Sequence, residues 1–296
     1  MSDVEGGSIV DEGVPLVELA SGLQFGEGPA WDPHAHCLLF SDIASDVIHR
    51  WDETGGVTAF RTPSSMANGL AFDRAANLVI CEHATSRLTR LDRDGKLTVL
   101  ASHFGDRELN SPNDVVVSRD GGIWFTDPRG GREAFVGIPR PSELDFCGVY
   151  RLDPGGALEL VVEDFELPNG LCFSPDERHI YINDTTRAHI RRLRVDGSKV
   201  LEDVQFAQMP GSGYPTPGVP DGMKCLSDGR LLATGPHGIW VFDVQGKHTE
   251  TIETPGTSTN LAFGGDDPQT LFVTTLTGLY RLRLKVRGDA PVWAAR

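Results

Sequence analysis

Apolar and polar positions alternate along this chain with the two-residue period of strands. "NLVICEH", "RLTRLD" and "KLTVLA" follow one another between residues 77 and 101, and a D-G turn at Asp94 and Gly95 separates the last two. Short alternating runs bounded by turn residues predict β-strands. No stretch of convincing length combines helical spacing with caps, so the prediction is an all-β protein.

The runs repeat. Six segments share a polar anchor, a small or apolar residue and a short strand: "GEGPAWDP", "ANGLAFDR", "PNDVVVSR", "PNGLCFSP", "PDGMKCLS" and "TNLAFGGD". Their anchors are Glu27, Asn68, Asn113, Asn169, Asp221 and Asn260, spaced 41, 45, 56, 52 and 39 residues apart. Such periods accommodate four short strands each. The last repeat lacks a fourth strand, whereas "LVELASGLQFGEGP" near the start resembles a fourth strand leading into an anchor. The expected fold is therefore a six-bladed β-propeller with four antiparallel strands per blade, the N-terminal strand closing the last blade. Closure of this kind removes the free sheet edges that invite aggregation. Residues 15–290 are expected to form this single domain, with residues 1–14 an acidic, mobile N-terminal segment.

Charge narrows the partners. A net charge of -15 repels phosphate backbones and anionic membranes, so neither nucleic acid nor membrane is expected to bind. The five cysteines are widely spaced and lie mostly in apolar runs, which predicts reduced core thiols. The acidic N-terminus lacks the apolar core of a signal peptide, so a cytoplasmic location is expected. A monomer or homodimer acting on a small molecule fits this composition.

In a propeller the first strand of each blade lines the central channel, so the six anchors converge on one mouth. Two carboxylates and four carboxamides are hard oxygen donors suited to Ca²⁺ or Mg²⁺. Asn and Asp also favour turns for local reasons, but Glu27 between two glycines does not fit that reading. Asp42, Glu82 with His83, Asp127 and Asp184 end second strands facing the same mouth, as outer-shell groups, bases or solvated acids.

"GEGPAWD", "SPNDVVV", "WFTDP", "GVYRLDP", "LPNGLCFSPD" and "PDGMKCLSDG", in this order across about residues 20 to 285, resemble the family of senescence marker protein 30, gluconolactonases and luciferin-regenerating enzymes. The resemblance implies one divalent cation held by Glu27, Asn113, Asn169 and Asp221, with Asn68 and Asn260 outside the direct ligands. Ca²⁺ is expected first, with Mg²⁺, Mn²⁺ or Zn²⁺ as alternatives. The animal branch of the family carries an Arg two positions before the second ligand. Here that position is Ser111, and Asn110 or Arg129 stands as a replacement substrate contact.

The activity this implies is hydrolysis of a sugar lactone such as glucono-1,5-lactone. A cation can polarise the carbonyl while a carboxylate prepares the water. Asp221 is the first candidate for that base, with Asp127 and Asp184 as alternatives, and Asn68 and His83 are further substrate contacts. Phosphotriester hydrolysis on the same fold and a non-catalytic binding propeller are the competing readings. No G-x-S-x-G, H-E-x-x-H or Walker motif is present. The Gly- and Pro-rich stretch from Gln208 to Gly222 is expected to cover the mouth.

Overall fold

The computed structural model describes residues 7–11, 13–211 and 217–289. Six four-stranded antiparallel sheets form the blades of a propeller, and in the first five the sheet order follows the chain order. The innermost strands are Gly26–Asp32, Ala67–Phe72, Val115–Val117, Pro168–Phe173, Met223–Cys225 and Ser258–Phe263. The sixth blade takes its outer strand from the N-terminus. Val17–Ser21 pairs antiparallel with Gly278–Arg283, from Val17 opposite Arg281 to Ser21 opposite Gly278.

The core is a ring of six apolar clusters, one in each seam between neighbouring blades. Ile48, Leu39 and Cys37 of blade 1 meet Leu70, Leu78 and Ile80 of blade 2. At the closing seam, Leu38, Phe40 and Trp51 of blade 1 meet Ala262, Phe272 and Leu279 of blade 6. Trp31 stacks on Phe272 there at 5.6 Å between ring centroids. A second strand is packed on both faces and so is buried along its length, as in Cys37–Asp42. Outer strands such as Gly56–Arg61 are mostly exposed. All five cysteines are buried and free, as the apolar runs around them predict.

Within the N-terminal segment, Ile9 is buried against blades 5 and 6, and Val10 bridges to Leu284. Residues 212–216 of the Gly- and Pro-rich stretch lie outside the described residues.

Candidate active site at the channel mouth

Two of the anchors, Asn68 and Asn169, leave the ladder through bulges. In blade 2 the pairs Ala67–Glu82 and Leu70–Ile80 leave Asn68 and Gly69 opposite Cys81 alone. In blade 4, Pro168–Asp184 and Leu171–Ile182 leave Asn169 and Gly170 opposite Asn183. Two residues facing one re-aim the chain, a device proteins place beside sites. The residue after the anchor then meets the next blade's backbone. A Cβ on Gly28 would lie 2.0 Å from the Asn68 carbonyl oxygen, and one on Gly170 would lie 1.9 Å from that of Asp221. Glycine is needed at these positions because the ring is packed backbone to backbone.

Hydrogen bonds between blades fix the ring further. Ser41 Oγ donates to the Asn68 carbonyl at 2.7 Å, and Thr126 Oγ1 donates to that of Asn169 at 2.8 Å. Asn183 Nδ2 donates to the Asp221 carbonyl, and Thr259 Oγ1 donates to that of Gly26 at 2.6 Å.

The acids ending the second strands latch the segments that lead into the anchors. Asp42 accepts the amides of Gln24 and Phe25, Asp127 those of Asn110 and Ser111, and Asp184 those of Glu166 and Leu167. In each case the amides lie three and two residues before the anchor, here Glu27, Asn113 and Asn169. These carboxylates hold the ring in place from behind. Burial raises the Asp127 carboxyl to about 7 despite its two amide donors. Glu82 instead serves Thr85, Arg87 and Thr89 of its own blade.

Among the anchors, Glu27 is 3% exposed, and its Oε2 accepts the Gly28 amide at 2.6 Å and Asn260 Nδ2 at 2.9 Å. Burial pushes this carboxyl up to about 7, and the neighbouring Asp114 adds to the rise. The hydrogen bonds from Asn260 and Gly28 oppose it, as does Lys224. Asn169 Nδ2 donates to Thr185 Oγ1 at 3.1 Å, so its donor end is spent inside the protein. Asp221 is buried, and its amide donates to Thr234 Oγ1 at 3.1 Å. Asn113 is half-buried, and its carbonyl accepts the Gly69 amide at 2.8 Å.

Asn68 is oriented by His83. Burial lowers this imidazole to about 4, so it is neutral near pH 7. Its Nδ1 lies 2.8 Å from the Val136 carbonyl and must carry the proton. Nε2 is then the acceptor for Asn68 Nδ2 at 3.1 Å. The Asn68 Oδ1 is left buried without a hydrogen-bond partner. A buried orphan acceptor calls for a ligand, an ion or a water.

Asn110 and Arg129 are engaged elsewhere. Asn110 Nδ2 donates to the carbonyls of Asp127 and Phe146, its Oδ1 accepts from Ser142, and Arg129 donates to the Leu144 carbonyl at 3.1 Å. Sequence reasoning missed Asp114 and Lys224. Asp114 is buried, with its carboxyl raised mainly by burial and relieved by Lys224, the amides of Val115 and Leu171, and Asn260. The available signal was the repeat itself, for Asp114 stands where blades 1, 2, 4 and 5 carry glycine after the anchor. A channel cavity of about 700 Å³, lined by Lys224, Trp31, Phe72, Val116 and Phe173 among others, includes none of the anchors in its lining.

Among the described residues no three His, Cys, Asp and Glu side chains gather as a metal cage. The anchor set differs from such a cage in mixing two carboxylates with carboxamides. Buried Glu27 held by neutral amides fits a hard cation, and the orphan oxygen of Asn68, outside the expected ligands, fits a substrate hydroxyl or a water.

Fold and mouth together define a six-bladed propeller with an oxygen-lined site at one end of its channel. The chain belongs to the SMP-30/Gluconolactonase/LRE-like family, whose model matches residues 25–277. It is 28% identical to a gluconolactonase of Zymomonas mobilis subsp. mobilis, over 95% of this chain and 84% of that protein. It is 29% identical to the pentonolactonase XacC of Haloferax volcanii, over 86% of this chain and 82% of the relative. The solved gluconolactonase of Xanthomonas campestris superimposes with a TM-score of 0.85 at 35% identity, covering 93% of this chain and 91% of the other.

Proposed function

We propose that this protein hydrolyses a sugar lactone of the glucono-1,5-lactone type at the anchor mouth, with a divalent cation held there by Glu27, Asn113, Asn169 and Asp221. The chain is a lactonase, a hydrolase of ester bonds, as its gluconolactonase and pentonolactonase relatives are. The observation that carries the reading at this site is the set of buried oxygens: the carboxylate of Glu27 among neutral amides and the unpartnered Oδ1 of Asn68.

When bound, the cation supplies Lewis-acid polarisation of the lactone carbonyl. The chain's own part is positional and basic. The latches of Asp42, Asp127 and Asp184 fix the approach to three anchors, so the ring needs little reorganisation when substrate arrives. Asp221 is the carboxylate assigned to take the proton from the attacking water. Neutral His83 holds Asn68 with its oxygen free to accept a hydrogen bond from a substrate hydroxyl or a water.

The test is hydrolysis of glucono-1,5-lactone, followed by proton release near pH 6.5, on chelator-stripped protein with Ca²⁺, Mg²⁺, Mn²⁺ or Zn²⁺ restored singly. Turnover restored by an ion and lost in Asp221→Ala, with an unchanged circular dichroism spectrum, is expected. No turnover above background with any ion would refute the sugar-lactone reading.

A further inference from the structure

The wall of the mouth carries an aromatic group that hydrolysis of a polyhydroxylated ring does not require. Between the second and third strands of blade 3 the chain forms a loop with a pinched neck. A Cβ on Gly137 would lie 1.7 Å from the Gly131 carbonyl oxygen, and the Ile138 amide donates to that oxygen at 3.1 Å. Arg132, within the loop, is buried and donates to the Asn110 carbonyl at 2.8 Å and to Glu108 at 2.7 Å. The loop also rests on the candidate site, because the Val136 carbonyl accepts from the same His83 that holds Asn68.

Phe135 sits at the tip. It is 60% exposed, the most exposed large apolar side chain among the described residues, and has φ of 83°. A bulky side chain in left-handed backbone is strained and persists only where its surroundings fix it. Its ring stands 6.3 Å from Phe25 at an interplanar angle of 61°, edge to face, and Phe25 lies two residues before Glu27. Two aromatic rings from blades 1 and 3 thus flank the anchor mouth, one of them held in solvent by a pinned loop.

We propose that Phe135 and Phe25 form an apolar wall that admits a second substrate class, lactones bearing an alkyl or aryl substituent on the ring carbon next to the ring oxygen. This rests on the lactonase reading of the site. Water forms a new C–O bond at the carbonyl carbon, and the bond from that carbon to the ring oxygen breaks. The ring oxygen leaves as an alcohol with a proton, and the product is a hydroxy acid. The substituent lies against the aromatic wall and takes no part in bond exchange.

The experiment compares glucono-1,5-lactone, δ-valerolactone and a 5-alkyl-δ-lactone on wild type, Phe135→Ala, Phe25→Ala and Phe135→Leu. Wild type should prefer the 5-alkyl lactone to δ-valerolactone about tenfold in kcat/KM, the effect of covering roughly 50–60 Å² of apolar surface. Phe135→Ala should erase that preference through KM, Phe135→Leu should keep part of it, and δ-valerolactone should be nearly unaffected. Equal losses on all three lactones, or an undiminished preference in Phe135→Ala and Phe25→Ala, would overturn the proposal. Failure of wild type on every lactone would instead sink the lactonase reading, so the two failures are distinguishable.

Discussion

Lowering the pH from 8 to 6 should weaken divalent-cation binding about tenfold through one carboxylate, since a group titrating near 7 goes from about nine-tenths to about one-tenth ionised. That group is Glu27, which burial raises from its ordinary 4.5 to about 7. The shift corresponds to about 3 kcal/mol of preference for the neutral form. A bound cation reverses this preference, so binding must expel about nine-tenths of a proton per ion at pH 6 and about half of one at pH 7. The linkage to stability has the opposite sign in the metal-free protein. Between 4.5 and about 7 the folded chain holds a proton that the unfolded chain has released. Stability from this group is therefore fully present below 4.5 and is lost as pH rises through about 7. Added Ca²⁺ should offset that loss at high pH.

Isothermal titration of chelator-stripped protein with Ca²⁺ at pH 6, 7 and 8, in buffers of different ionisation enthalpy, reads both affinity and proton release. Glu27→Gln should bind more weakly at pH 8 and show no such pH dependence. An affinity constant across this range in wild type, or an unchanged slope in Glu27→Gln, would refute the assignment of Glu27 as the titrating ligand.

Three other substitutions test the architecture behind the site. Gly170→Ala places a methyl group 1.9 Å from the Asp221 carbonyl oxygen and should cost at least the usual 1–3 kcal/mol of overpacking, read as a lowered denaturant midpoint. A midpoint equal to wild type would mean that blades 4 and 5 are not packed backbone to backbone here. Asp127→Asn turns one of two acceptors into a donor facing the amides of Asn110 and Ser111, and should cost about 1–3 kcal/mol. It should also remove the part of stability that wild type loses as pH rises through about 7, and an unaltered stability–pH profile would count against the raised carboxyl of Asp127. Asn260→Ala frees Glu27 Oε2 from one of its two donors and should raise the Glu27 carboxyl further. Ca²⁺ affinity near pH 7 should fall several-fold, and an unchanged affinity would exclude Asn260 as the strut for Glu27.

The propeller was legible because each blade repeats one grammar and strand alternation is a local signal. The closing strand Val17–Ser21 could be inferred from the fourth strand missing at the other end of the chain. The bulges at the anchors were not legible, although the glycine after most anchors is their trace, since only the neighbouring blade's backbone makes that glycine necessary. Acids ending second strands illustrate a different limit. Sequence brings Asp42, Asp127 and Asp184 to the anchor end of the channel. Whether a carboxylate there faces the substrate or the backbone depends on amides supplied by the preceding connection, and all three accept such amides. The same dependence hid Asp114 and Lys224, whose importance comes from charges converging across the channel from blades 3 and 5. What the chain encodes locally is thus the repeat, and the proposed chemistry rests on its irregularities: Glu27 among carboxamides, Asp114 in place of glycine, and Phe135 on the enlarged connection of blade 3. A mutational programme on this mouth should therefore vary those departures first, because the regular positions hold the ring while the irregular ones give it charge and shape.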